Sequence, residues 1–136
     1  MGAASPTHPI PTAAYHQAWA RNGNITHPGM RYNIPVIFNY NGATGNVGPM
    51  FWSHYSFLGL NPNGLKDQYG DYGLETKNQA LINYQWCVDN PLGYKGYGEN
   101  SWGLTSSYSI KGYAGHAPAK QKDLGVISPT AAVSST

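Results

Sequence analysis

Short segments with a clear hydrophobic period alternate along this chain with long stretches where glycine, proline and tyrosine break any period. The best helical pattern runs over 71–89, where Leu74, Leu81, Tyr84 and Val88 fall along one stripe. Asn90-Pro91 should stop it, because the residue before a proline avoids the helical region. A first helix is predicted over 12–21, with Thr12 as N-cap and Tyr15, Ala18 and Trp19 at helical spacing. It should end near Asn22-Gly23. Residues 50–60 are apolar enough for a short buried helix, broken by Asn61-Pro62-Asn63-Gly64. A last helix should open at Ser128 as N-cap with Pro129 in its first position. That helix has barely begun when the sequence reaches Thr136, so residues 1–136 are expected to be an internal piece of one larger domain.

The segments 24–49 and 92–126 read as long loops. Within the first, Ile34-Pro35-Val36-Ile37-Phe38 fits a short strand, and Pro35 argues against a central one. Loops of this length are uncommon in compact domains and are often functional. The whole pattern predicts an all-α domain with its functional groups on loops.

Composition narrows the partner. Only 10% of residues are charged, against roughly 25% in ordinary soluble domains. The polar surface therefore rests on amides, hydroxyls and imidazoles, among which 11 tyrosines and four tryptophans are spread. Lysines and arginines are scattered and cannot neutralise a line of phosphates, so no nucleic-acid partner is expected. Sugars fit better: they are neutral, rich in hydroxyls, and have apolar faces that stack on aromatic rings. No apolar stretch approaches the roughly 20 residues of a membrane span. The lone Cys87 forms no internal disulfide and reads as a buried thiol in a helix.

Six carboxylates are available for chemistry: Asp67, Asp71, Glu75, Asp89, Glu99 and Asp123. Glu99 lies in Tyr97-Gly98-Glu99-Asn100-Ser101-Trp102-Gly103, where glycines allow a sharp turn toward a ligand. Tyr97 and Trp102 are placed to stack on a sugar and to lower the local dielectric. Burial against aromatics raises a carboxyl pKa, as a general acid requires. The competing reading is a loop glutamate that caps an amide or pairs with Lys95. Asp67, Asp71 and Glu75 share one face if that segment is helical throughout, to orient sugar hydroxyls or hold calcium. They equally suit a polar helix start. The five histidines are too dispersed for a zinc motif, so no metal or cofactor is expected. His54, in an aromatic run, reads as a buried hydrogen-bonding residue or a sugar contact.

Phe51-Trp52-Ser53-His54-Tyr55-Ser56-Phe57-Leu58-Gly59-Leu60 and Leu65-Lys66-Asp67 resemble the glycoamylase-like domain of bacterial glycoside hydrolases. Lys95-Gly96-Tyr97-Gly98-Glu99-Asn100-Ser101-Trp102-Gly103-Leu104-Thr105 is similar to that family's central motif. Gly112-Tyr113 and Leu124-Gly125-Val126-Ile127-Ser128-Pro129-Thr130-Ala131-Ala132 resemble the block after it. Two departures stand out: Ser101 where the family often has Cys, and Ser106-Ser107-Tyr108 where an Asp usually follows the Thr.

The resemblance implies a partial (α/α) toroid of six helical hairpins, export to the periplasm or cell surface, and hydrolysis of β-linked glucan, with β-1,2-glucan foremost. The expected site has Glu99 as acid, with Arg21, His54, Asp67, Tyr97 and Trp102 holding sugar in a monomer. A second carboxylate, expected outside this piece with Asp67 as the internal candidate, would activate water or attack, at about 5–5.5 Å from the acid for retention and about 6.5–9.5 Å for inversion. The rivals are a non-catalytic sugar-binding module, an inactive remnant and, for the fold, a β-sandwich lectin.

Overall fold

Helix α2 (Tyr72–Asp89) organises the protein, seen here as a computed structural model that describes residues 5–38 and 47–135. Its start is fixed by Asp71, whose extended backbone and carboxylate cap the helix by accepting the Leu74 N–H at 3.0 Å. Its end is fixed by Asn90, which adopts the left-handed conformation (φ 43°) and returns its N–H to the Trp86 carbonyl. The Asn90 side chain then grips both backbone groups of Tyr94 at 2.8 Å, which pins the chain as it leaves the helix.

The face that α2 buries is not the predicted one. Leu74 and Leu81 are 49% and 42% exposed, while Glu75, Gln79, Ile82, Asn83, Trp86 and Cys87 face inward. A short strand over 34–38 and the loop at Leu104 pack against this helix, and their buried N–H and C=O groups demand partners. Polar side chains supply them. Glu75 accepts from the Ile37 N–H at 2.9 Å, and Asn78 donates to the Pro35 carbonyl at 2.9 Å. Asn83 closes a two-way pair with the backbone of Leu104, at 2.9 and 3.1 Å. A leucine stripe could make none of these bonds.

Two antiparallel hairpins overturn the all-α, six-hairpin toroid reading. Strand β1 (Thr26–Arg31) pairs with β2 (Ile34–Phe38), and β3 (Ser106–Ser109) pairs with β4 (Gly112–Gly115). Tyr32 and Asn33, both left-handed (φ 52° and 59°), form the two-residue turn whose twist suits a hairpin. Pro35 is tolerated because, among the described residues, the sheet has two strands and each is an edge. In the second hairpin Gly112 takes φ 101° at the turn, and Tyr108 faces Tyr113 across the strands at 5.3 Å. Segments read as loops thus satisfy their own backbone groups by local pairing.

The remaining elements are short. Tyr15–Trp19 is a single π-helical turn, followed by a 3-10 turn at Arg21–Gly23. Helix α1 (Phe51–His54) runs into a 3-10 turn at Tyr55–Phe57, and α3 (Pro129–Val133) starts with Pro129 in its first turn. Among the described residues three small clusters make the core: Val36, Val47 and Ile82; Met50, Ala80 and Ala131; Trp86, Cys87 and Leu104. Gly103 (φ 121°) lets the loop approach α3, since a Cβ there would lie 2.7 Å from the Ser128 carbonyl oxygen. Among the described residues no helix is long and apolar enough to cross a membrane.

Candidate functional site

An open cleft of about 500 Å³ lies beside the N-terminal π-turn, with Trp19, Arg21, Phe51, Trp52, Tyr55 and Tyr72 on its walls. A π-turn inserts one residue into a helix and often marks a functional site. Arg21 and Asn22 follow it with left-handed backbones (φ 49° and 55°), a costly conformation for side chains without special local support. This kink delivers Arg21 to the cleft. Trp19 stacks on Tyr15 with ring centroids 5.1 Å apart and planes within 10°. Tyr72 stacks in the same way on Phe38, at 5.1 Å and 12°, and meets Trp19 at 5.6 Å. On the facing wall Trp52 lies flat against Gly48, where any side chain would collide with the indole.

Asp67 stands behind this wall rather than on it. Its Oδ1 accepts the N–H groups of Tyr69 and Gly70 at 2.7 and 3.2 Å. Its Oδ2 accepts the hydroxyls of Tyr72, at 2.7 Å, and of Tyr15. Desolvation pushes the carboxyl pKa up, but the four donors outweigh it and hold the group below its ordinary range. The helical stripe of three acids does not form. Asp71 is the helix cap, Glu75 is buried beneath β2, and Asp67 precedes the helix in a turn.

His54 lies in an adjoining shallow groove of about 330 Å³ that shares Phe51 and Tyr55 with the cleft. Its Nδ1 is 3.1 Å from Ser134 Oγ, and its buried Nε2 has no partner among the described residues. Burial lowers its pKa, so the neutral ring is favoured.

Around Glu99 the arrangement differs from the expected one. Gly98 and Ser101 close a tight antiparallel bridge, which lifts Glu99 into solvent with no hydrogen-bond or ionic partner among the described residues. Tyr97 and Trp102 turn away into the core. The Tyr97 hydroxyl donates to Asp123 Oδ1 at 2.6 Å, and Trp102 meets Tyr84 edge-on at 5.4 Å and packs against the Trp86 cluster. Asp123, which the sequence did not single out, is buried and also accepts from Trp86 Nε1 at 2.7 Å and the Gly125 N–H at 3.0 Å. A buried acid ringed by Trp and Tyr donors has no local sequence signal, since its partners lie 26 and 37 residues away.

Arg21 and His54 therefore sit on adjoining surfaces, with Asp67 supporting one of them, while Glu99 lines neither. Glu75 is buried and raised in pKa by desolvation, which its bonds from Gln79, Ile37 and Phe38 only partly offset. Cys87 is fully buried, and burial pushes its thiol to about 11, too high for a nucleophile at neutral pH. No cluster of three or more His, Cys, Asp or Glu suited to a metal occurs among the described residues.

Comparison with known proteins places this geometry in context. The family model Glycoamylase matches residues 1–136. An exo-β-1,2-glucooligosaccharide sophorohydrolase of Parabacteroides distasonis is 34% identical over 143 residues, covering 96% of this chain and 20% of the relative. The solved structure of an endo-β-1,2-glucanase from Chitinophaga pinensis, in complex with sophorotriose and glucose, superposes with TM-score 0.90 at 56% identity. That match covers 96% of this chain and 31% of the enzyme. A β-1,2-glucanase structure from Parabacteroides distasonis gives TM-score 0.78 at 29% identity, over 93% of this chain and 20% of that one. The chain thus spans between a fifth and a third of the length of these proteins.

Proposed function

The chain belongs to the Glycoamylase family, and from that premise we propose that it serves the hydrolysis of β-linked glucan, with β-1,2-glucan as substrate. The observation that carries this reading is the likeness, at 56% identity and TM-score 0.90, to an endo-β-1,2-glucanase solved with sophorotriose and glucose.

Glycoside hydrolysis needs a carboxylic acid at the leaving oxygen and a second carboxylate for water or direct attack. Five of the six carboxylates in this chain have structural duties. Asp71 caps α2, Asp89 accepts from Gln85 at 2.8 Å, and Asp67, Glu75 and Asp123 are held as described. Among the described residues Glu99 alone has both oxygens open, which supports it as the acid. In this reading Arg21 and His54 meet sugar directly, whereas Asp67, Tyr97 and Trp102 serve through the side chains they hold. The second carboxylate would come from the part of such enzymes that this chain does not match.

The test is a chimera in which this chain replaces its matched segment of the Chitinophaga pinensis enzyme. Release of reducing sugar from β-1,2-glucan, but not from starch, is expected. Glu99→Gln should cut it by at least about 100-fold, the low end for loss of a general acid. An active chimera indifferent to Glu99→Gln would remove Glu99 from the chemistry. One observation favours a second reading, a non-catalytic sugar-binding surface: Glu99 does not line the cleft. A folded chimera that binds glucan and cleaves none would establish that alternative.

A further inference from the structure

We propose that the cleft beside Trp19 binds a short stretch of neutral sugar, and that Asp67 is its positioning residue, acting through Tyr15 and Tyr72. This deepens the glucan reading above and rests on it.

The walls specify the ligand class. Trp19, Phe51 and Tyr55 are 41%, 38% and 68% exposed, so apolar ring surface faces the opening. Flat aromatic faces suit the C–H faces of pyranose rings, while the Arg21 guanidinium and the Tyr55 hydroxyl can meet equatorial hydroxyls. Among the described residues no carboxylate lines the cleft, so a cationic ligand would find no counter-charge there. The volume falls in the range of small-ligand sites.

Asp67 touches none of that space, yet it governs the wall. One oxygen is fixed by the two backbone amides of its own turn. The other gathers the hydroxyls of Tyr15 and Tyr72, which are themselves 3.0 Å apart. Tyr15 is the ring on which Trp19 stacks, and Tyr72 packs against the same indole. Without this acceptor, Tyr15 loses its anchor and Trp19 its backing, while the cleft lining keeps its composition. A misplaced wall weakens binding by changing geometry and not by deleting a contact.

Calorimetric titration of this chain with sophorotriose tests the proposal. The wild type should bind saturably, and Trp19→Ala should abolish the signal. Asp67→Asn should weaken binding by about tenfold, the equivalent of one ordinary hydrogen bond. Tyr15→Phe, a milder change that keeps the ring, should weaken it less. The double variant should be no worse than Asp67→Asn alone, because both act through one link. Absence of binding by the folded wild type overturns the proposal, as does undiminished binding by Trp19→Ala. Unaltered affinity in Asp67→Asn, or additivity with Tyr15→Phe, removes Asp67 from it. The two readings fail separately. Binding without hydrolysis in the chimera sinks the hydrolase and leaves this cleft. Hydrolysis whose KM and kcat ignore both Trp19→Ala and Asp67→Asn sinks the cleft and leaves the hydrolase.

Discussion

Asp67 and Asp123 are held by the same chemistry and put to opposite use. Each carboxylate accepts a tyrosine hydroxyl, a second aromatic donor and backbone N–H, within a nest of rings. At Asp123 the nest closes. Trp86, Tyr97 and Trp102 pack on Cys87 and Leu104, and the acid is 2% exposed. At Asp67 the nest stays open, with the acid in solvent and Trp19 presenting a bare face to the cleft. The difference lies in what surrounds the rings. The Asp123 loop folds back over the last turns of α2, whereas the π-turn reaches only the first turn and, among the described residues, leaves one side open as the cleft. An aromatic nest is thus core or binding wall according to whether a second layer covers it.

The sharpest way to break this comparison is Asp123→Ala. It strands the Trp86 Nε1–H and the Tyr97 hydroxyl in the core, each an unpaired buried donor costing about 1–3 kcal/mol. A total loss of about 3–5 kcal/mol is expected, a drop in melting temperature on the order of 10 °C or more. Thermal unfolding followed by circular dichroism checks it. A shift of only a degree or two would mean that the region is not the closed core described here.

A second prediction concerns Glu75, which lies between the two nests. Its folded pKa is raised by desolvation, so the folded state holds the proton more tightly than the unfolded chain does. Stability from the neutral carboxyl is therefore full below the ordinary glutamate value of about 4.3 and declines as pH rises through the raised one. His54 acts in the opposite sense, because its lowered pKa costs stability as pH falls below about 6.5. The difference between wild type and Glu75→Gln isolates the glutamate. The variant keeps one acceptor oxygen for the Ile37 N–H and puts an NH2 where the other oxygen took Gln79. That exchange costs the same at every pH, so the stability of the variant relative to wild type should rise from pH 5 to pH 8 in urea melts. A constant difference across that range would refute the assignment.

What the sequence disclosed follows from the reach of each signal. Helix α2 was legible because its cap at Asp71 and its stop at Asn90 are local. The strand at 34–38 was legible too, Pro35 included. Its partner β1 was hidden by Pro28 and Gly29, and β3–β4 by a run of serines, since pairing rather than propensity makes these strands. The buried face of α2 was misread for a related reason: apolar period cannot reveal a face whose task is to satisfy loop backbone. At the candidate site, His54 was singled out by its aromatic run and Arg21 only through the family resemblance, and the structure puts them on adjoining surfaces. The outward turn of Glu99 away from Tyr97 and Trp102 depends on the bridge between Gly98 and Ser101 and on an acid 24 positions later in the chain, which no motif encodes.

At the open nest the expected cost is much smaller than at the closed one. Asp67→Ala should lose less than about 1 kcal/mol, because water can replace an exposed acceptor for the two hydroxyls. Its depressed pKa adds a sign. The contribution of the ionised group is present above about pH 4 and fades as pH falls through the folded value, so wild type and variant should converge in acid. A loss as large as that for Asp123→Ala would show that the two nests are structurally equivalent and that the cleft is an accident of packing.

The smallest effect is expected at Glu99, and it carries the contrast furthest. Asp123 is held and buried, Asp67 is held and exposed, and Glu99 is held by nothing among the described residues. Glu99→Gln should leave the melting curve within about 0.5 kcal/mol of wild type, as for an exposed surface site. If the same substitution removes glucan hydrolysis from the chimera, stability and chemistry will have been divided between different carboxylates of one chain. A measurable loss of stability would instead mean that Glu99 has a structural partner in the folded protein, and its open position could no longer support it as the acid.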